Sequence, residues 1–416
     1  MAMSLDTLIK RANEAFDAAL AAAAPGSAMA PALDRLDHRP TPILAIGKAA
    51  SAMARACRDH GLDAQGVIIT NPENAADVEG FELIIGGHPV PDQGSMDGAK
   101  RAIELTSSLG PDDHLLVLLS GGGSALMTRP VGDLDLDHKR IINEALLARG
   151  IDIHRMNACR RLFSAVKGGR LAGLAAPARV TQWVLSDVPG DHLASIASGP
   201  FAPDPWSFDD AVGCVVEAGI TRHDWATSVL DAMRKGDLPA PLRDGDPAFD
   251  RVETSILASN AICREAASND LGDNTVSLPD LDGDAMAMGR TLAHAVMNAP
   301  APLLAVTGGE TVVTLPQQHG LGGRSQALAL SFLLAMEDAE FDWVLLAAGT
   351  DGRDGPTDAA GGLVTSGMRP DIDAARAALD GHDSYHYLDR IGGLLRCPPT
   401  GTNLADIAIV LTSPKG

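Results

Sequence analysis

The sequence predicts an α/β protein whose strands form a mainly parallel sheet, and three observations carry that expectation. Short apolar runs alternate with helix-length amphipathic segments along the 416 residues. Five of the runs end abruptly in loops rich in glycine and in acid or serine: Ile43 to Lys48, His114 to Ala125, Trp183 to Asp191, Leu303 to Glu310 and Trp343 to Gly362. Aromatic residues are only 3% of the chain, so Leu, Val, Ile and Ala must fill the core. A buried run followed by Gly and Asp or Ser reads as a parallel strand whose carboxyl end opens into a loop. Ligands of open α/β sheets bind outside those ends.

Taken in order, Leu5, Leu8, Ile9, Ala12, Phe16 and Leu20 recur at helical spacing, and Asp17 interrupts the Ala-rich stretch, so the chain opens with an amphipathic helix rather than a signal sequence. A strand at Ile43 to Ile46 leads into a helix over Ala49 to Asp59, then strands at Val67 to Thr70 and Glu82 to Ile85. A helix over Met96 to Leu109, a strand at Leu115 to Leu119, helices over Asp137 to Arg149 and His154 to Leu174, and a strand at Val180 to Leu185 complete a βαβ rhythm. Such a rhythm implies a sheet covered on both faces. The Pro-, Gly- and Asp-rich stretch Asp237 to Asp250 reads as a domain junction, giving domains of residues 1–240 and 241–416. Beyond it come a strand at Ser255 to Ala258, a helix from Ala261, a strand near Thr275 to Leu278 and a helix over Ala285 to Asn298. Leu303 to Val306 and Val312 to Leu315 lie close enough for a hairpin; a helix through Ala327 to Met336 and strands at Val344 to Ala347 and Ile407 to Leu411 follow.

Composition narrows the function. Lys plus Arg number 33 against 54 Asp plus Glu, a net charge of −21, which argues against nucleic acid or an anionic membrane as partner. No apolar stretch approaches the roughly 20 residues that span a bilayer. Cys57, Cys159, Cys214, Cys263 and Cys397 are odd in number and lack CxxC spacing, so they read as reduced thiols of a cytoplasmic protein.

The loops point to an anionic ligand. Gly47-Lys48 falls where a strand turns into a helix, and an ammonium there lacks a favourable dipole partner unless it shares an anion with the main-chain N–H groups; a surface lysine is the plain alternative. Neither GxxxxGK[ST] nor GxGxxG occurs. In Ser120-Gly121-Gly122-Gly123-Ser124, three glycines let the backbone approach a phosphate and two hydroxyls flank them. Asp187 and Asp191 lie across a Pro-Gly turn, suited to a magnesium-bound phosphate or to hydroxyl deprotonation, although turn chemistry alone explains them. Asp351, Asp354 and Asp358 crowd a loop without EF-hand spacing, a pattern that favours metal with polyol or phosphate over a solvated face. Arg324 opens a helix behind Gly322 and Gly323, again awkward for the dipole without an anion. Glu310 reads as a ligand or a simple turn carboxylate, and His88 as a turn histidine.

Together, AIGKAASAMA, GHPVPDQGS, LLSGGGSALM, LSDVPGDHLASIASGP, LASN, TGGET, GGRSQALAL, AAGTDGRDGPTDAAGG and TGTNLADI resemble, in order and over nearly the full length, the blocks of the class II glycerate 2-kinases. Members of that family often carry the name hydroxypyruvate reductase. The resemblance implies a Rossmann-like first domain, a smaller mixed-sheet MOFRL domain, and an active site in the cleft between them. It also implies phosphorylation of D-glycerate to 2-phosphoglycerate with ATP and Mg2+, no nucleic acid or membrane partner, and a homodimer as the candidate oligomer. Carried to matching positions, Lys48 and Arg324 are the catalytic cations, and Asp187 and Asp191 handle the metal or the attacking hydroxyl. Ser120, Gly121, Gly122, Gly123 and Ser124 cradle phosphate, while Asn260, Glu310, Asp351 and Asn403 fall in matching blocks as further ligand-binding positions. Ser325 and Ala327 depart from the family, which more often shows Asn and Glu there. Two other readings remain open. A nicotinamide-dependent hydroxypyruvate reductase calls for a dinucleotide fingerprint and a proton-donating histidine, neither of which is evident; a non-catalytic sugar-acid binder calls for binding without turnover.

Overall fold

The computed structural model describes residues 2–36, 42–63, 65–398 and 400–415. Contacts divide the chain into one unit of Met29–Leu257 and another that joins the residues up to Ala28 to those from Ala258 onward. The division therefore falls after Leu257, beyond the Asp237 to Asp250 stretch, and the first helix belongs with the carboxy-terminal unit.

In the Met29–Leu257 unit, six strands are ordered β3-β2-β1-β4-β5-β6: β1 Ile43–Ile46, β2 Gly66–Thr70, β3 Phe81–Ile85, β4 His114–Leu119, β5 Arg179–Ser186 and β6 Val252–Ser259. The ladders β1–β2, β1–β4, β2–β3 and β4–β5 are all parallel. This is the doubly wound order, in which the winding reverses beside the first strand. Every residue of β1 is buried, so both faces of the sheet centre are covered. On one face Leu44, Ile46, Val67, Ile69, Val117 and Leu119 pack with Ala99 and Ala102 of the helix Gln93–Ser107.

Two departures from the sequence reading occur in this unit. The helix expected over His154 to Leu174 is two helices, Ile153–Leu162 and Arg170–Ala175. Gly168 and Gly169 take φ of 60° and 78° between them, a left-handed backbone that no α-helix contains. Arg170 then donates to the carbonyls of Arg161 and Leu162 at 2.7 and 3.2 Å, satisfying acceptors that the first helix leaves open. In addition, helices Phe208–Glu217 and Asp224–Lys235 occupy a stretch that the sequence reading leaves unassigned. Both contribute to a separate apolar cluster built around Leu146, Leu162, Val215 and Leu230.

The other unit carries a smaller-element mixed sheet ordered β11-β10-β9-β12-β8-β7, with β7 Val276–Ser277, β8 Leu304–Gly309, β9 Asp342–Gly349, β10 Gly361–Thr365, β11 Leu394–Leu395 and β12 Asp406–Ser413. β12 is buried throughout and runs antiparallel to both β8 and β9, while β7 and β8 are parallel. The expected hairpin after β8 does not form. Its first run pairs with β12, and Val312 makes only an isolated bridge with Asp284. Helix Arg324–Ala335 is buried over Ser325 to Leu333. Gly289 lets helix Ala285–Met297 lie against it, since a Cβ there would strike the Leu328 carbonyl. The opening helix, Leu5–Ala23, buries Leu8, Ala12, Phe16 and Ala19 on the face its spacing predicts. No described helix is long and apolar enough to cross a membrane.

Candidate active site

The winding of the first sheet reverses at β1, whose neighbours are β2 and β4, so the crevice for a ligand opens between the carboxyl ends of β1 and β4. Those ends carry Gly47-Lys48 and Ser120–Ser124, two of the motifs singled out from sequence. The loops are stitched together: the Lys48 N–H donates to the Gly121 carbonyl at 2.9 Å, and the Ala49 N–H to Ser120 Oγ at 3.0 Å. Gly47 sits at φ 120°, and a Cβ on it would run into Ser120. Ser120 is thus a buried brace between the loops, its hydroxyl already engaged.

The glycine loop has the character of an anion cradle. Among the described residues, the successive main-chain N–H groups of Gly121, Gly122, Gly123 and Ser124 have no acceptor. Buried or half-buried N–H groups are almost always paired, so four in a row mark a place where an outside acceptor belongs. Lys48 is half-buried beside them, its Cγ close to Gly122, and its ammonium has no hydrogen-bond or ion-pair partner among the described residues. Asp187, at the end of β5, lies against Gly121, where a Cβ would collide with its carboxylate. Ser124 Oγ pairs with Ser198 Oγ at 2.6 Å. Asp191 lies four residues beyond Asp187 at φ 54°, and its carboxylate has no partner among the described residues.

The structure adds Asn71 and Glu73, which the sequence reading passed over, and brings His88, read there as a turn histidine, to the glycine loop. The His88 ring lies against Gly122. Burial, then the positive charge of Lys48, pulls its pKa below the ordinary 6.5 against the opposing charge of Glu73, so it is neutral at pH 7. Glu73, just past β2, accepts from Asn71, and its own main-chain N–H and that amide hold its pKa below the usual range. The available signal was positional: all follow the carboxyl ends of β2 and β3, as Lys48 follows β1.

In the other unit, Arg324 opens its helix and finds internal anions. It pairs with Glu310, and its Nε and Nη2 lie 2.6 and 3.0 Å from the two carboxylate oxygens of Asp406. Burial opposes the guanidinium charge, but Asp406 and Glu310 outweigh it and raise the pKa. Asp406 is pushed up to about 6 by burial in spite of Arg324. A cavity of about 340 Å³ adjoins this pair, lined by Arg324, Asp351, Asp354, Met286 and Leu315 among others. Asn260 donates to the carbonyls of Leu404 and Asp406 at 3.0 and 2.8 Å, tying down the start of β12; Asn403 lies beside Leu404, half-buried.

The three acids of the acid-rich loop take up separate places. Asp354 accepts from the N–H groups of Ser325 and Gln326 at 3.1 and 2.8 Å, capping the helix start, and burial pushes it up to about 7. Asp358 instead accepts from the Tyr385 hydroxyl at 2.7 Å and meets Arg396, while Asp351 accepts from the Arg353 N–H. Among the described residues, no group of three or more His, Cys, Asp or Glu side chains is placed to hold a metal. Asp354 is thus a helix cap and Asp358 a local tie, while Asp351 lines the cavity beside Arg324.

Two family models match the chain: the domain of unknown function DUF4147 over residues 11–234 and the MOFRL family over residues 303–406. A Thermotoga maritima protein named D-glycerate 2-kinase is 36% identical over 98% of this chain and 99% of its own length. An Agrobacterium vitis protein provisionally named a hydroxypyruvate reductase is 37% identical over 95% of this chain and 92% of its own. The crystal structure of a glycerate kinase from Thermotoga maritima superposes with a TM-score of 0.88 at 35% identity, covering 98% of this chain and 99% of that one.

Proposed function

The chain belongs to the DUF4147–MOFRL family of glycerate 2-kinases, and from that premise we propose that it transfers the γ-phosphoryl group of ATP to the 2-hydroxyl of D-glycerate. The observation that carries this reading is the run of four acceptor-less N–H groups beside the unpartnered Lys48 ammonium. Phosphoryl transfer asks for positioning and charge neutralisation rather than covalent help, and that pair supplies both. Gly121 to Ser124 hold phosphate oxygens through the main chain, and Lys48 neutralises charge that grows on the transferring group.

Mg2+ usually takes one or two protein carboxylates and completes its shell with water and substrate phosphate. Asp187, set against the loop, fits that sparse requirement, with Asp191 the second candidate. When bound there the ion neutralises phosphate charge. His88 is the neutral base beside the loop and the candidate to accept the hydroxyl proton. Arg324 is assigned to the acid substrate or its phosphate, in exchange with its internal carboxylates; Ser120, Asn260, Glu310, Asp351 and Asn403 are assigned to shaping the ligand sites.

The reductase reading loses support at the same crevice. A doubly wound sheet that binds a dinucleotide uses a glycine fingerprint after β1, and here that turn reads Gly47-Lys48-Ala49. Incubation with ATP, Mg2+ and D-glycerate, followed by phosphorus NMR of the product, tests the proposal. It predicts ADP and a phosphate ester on carbon 2. Oxidation of a reduced nicotinamide with hydroxypyruvate, without ADP formation from glycerate, would overturn it.

A further inference from the structure

In a chain with 21 more acids than bases, four cations crowd one small hollow of the Met29–Leu257 unit. Arg129, Lys139, Arg160 and Lys167 line it together with Thr128 and Asn143, and no carboxylate does. Arg161 shows what the others lack: its guanidinium is held by both oxygens of buried Asp204, at 2.7 and 2.9 Å. The four have only neutral company. Lys167 is 3% exposed and donates to the Ser124 carbonyl at 2.6 Å. Arg160 donates to Asn143 Oδ1 and Asn157 Oδ1 at 2.9 and 3.2 Å. The side chains of Arg129 and Lys139 have no hydrogen-bond or ion-pair partner among the described residues.

Like charges gathered in a low-dielectric hollow repel one another, and an uncompensated buried charge is costly. Their own acidity registers the strain: burial and then Arg160 bring Lys139 down to about 8, and burial followed by Lys139, Arg160 and Arg161 carries Lys167 well below its ordinary value. A bound anion relieves both effects at once.

We propose that this hollow binds a small oxyanion, a carboxylate or phosphate group, seated among Arg129, Lys139, Arg160 and Lys167. Its inner space is about 20 Å³, room for one water-sized group, so one oxygen of a small oxyanion enters while the rest stays at the mouth, and a nucleotide is excluded. The hollow also backs onto the glycine loop. Lys167 Nζ and Thr128 Oγ1 both donate to the Ser124 carbonyl, at 2.6 and 3.1 Å, so an anion that draws Lys167 inward acts on the loop that holds the candidate phosphate cradle. The proposal stands on the cation cluster and holds whether or not the chain proves to be a kinase. Two sources offer the chemistry: the carboxylate of an acid substrate, or free inorganic phosphate.

The test is calorimetric titration of the full chain, without nucleotide, by sodium phosphate and separately by D-glycerate. Every variant carries Lys48→Met, so that the glycine loop contributes no lysine to the signal. Binding of either ligand to Lys48→Met, weakened by about tenfold or more when Lys139→Met or Arg160→Gln is added, supports the site. Phosphate binding alone identifies a free anion as occupant, and glycerate binding alone identifies the acid's carboxylate. Should those variants fold poorly, Asn143→Asp keeps every cation and supplies an internal carboxylate beside Arg160; it is expected to abolish binding and raise the melting temperature. No binding of either ligand up to about 10 mM, or binding that survives Lys139→Met, Arg160→Gln and Asn143→Asp unchanged, would overturn the proposal.

Discussion

Lys48 and Arg324 present the same cue in sequence, a cation just behind glycine at the start of a helix, yet the two units resolve it differently. Arg324 meets Glu310 and Asp406 within its own unit, so its charge is compensated before any ligand arrives. Lys48 has no hydrogen-bond or ion-pair partner among the described residues and stands beside four idle N–H groups. A cation at a helix start therefore needs an anion, as the dipole argument says, but the sequence does not say whether that anion is external. The unit that leaves its cation unpaired is the one prepared for a phosphate.

The contrast yields a graded set of expectations. Lys48→Met should lower kcat/KM for glycerate phosphorylation by about two orders of magnitude or more, the scale of one lost transition-state donor. Its melting temperature should stay near that of the parent, because no internal partner is stranded; a large drop would show a structural role instead. Arg324→Met should, beyond its effect on substrate binding, also destabilise the fold by about 2 kcal/mol, less than the ~3–5 kcal/mol of a fully buried pair. That loss should shrink at pH 5. Burial has raised the folded-state pKa of Asp406 to about 6, so below that value the carboxyl is protonated and no charge is stranded. Adding Asp406→Asn should restore most of the stability at pH 8, and chemical denaturation of the single and double variants at both pH values checks the sign. A loss independent of pH and not rescued would break the comparison.

The smallest effect concerns His88. A base whose pKa lies below 6.5 is lost only as pH falls through that lowered value, so the acid limb of kcat/KM should lie below pH 6.5. His88→Gln should remove the limb, whereas a limb unaffected by the variant would acquit the histidine.

The amino-terminal sheet was legible because its central runs, Ile43 to Ile46 and Leu115 to Leu119, are uninterrupted and apolar, and they stop at Gly47 and Ser120, which the parallel topology puts on the ligand side. Lys48 and Ser120–Ser124 could be found from that alone. The misreadings share a cause, for they depend on partners distant in sequence. Val312 and its neighbours look like a strand, but β8 is already paired with β12, some hundred residues onward. Asp354 looks like one more acid of a ligand loop until it is seen capping a helix that begins at Arg324. His88 reads as a turn residue until β3 and β4 bring it against Gly122. The two helices after Pro205 were hidden by the Pro, Gly and Asp on either side of them.

The central claim is that the nucleotide phosphates lie on the Gly121–Ser124 main chain next to Lys48. A crystal structure of the full chain with Mg2+ and a non-hydrolysable ATP analogue tests it most directly. The account predicts phosphate oxygens within hydrogen-bond reach of those N–H groups, with the Lys48 ammonium on the terminal phosphate. Phosphates held instead only by Arg324 and the cavity beside it, with the glycine loop empty, would contradict it.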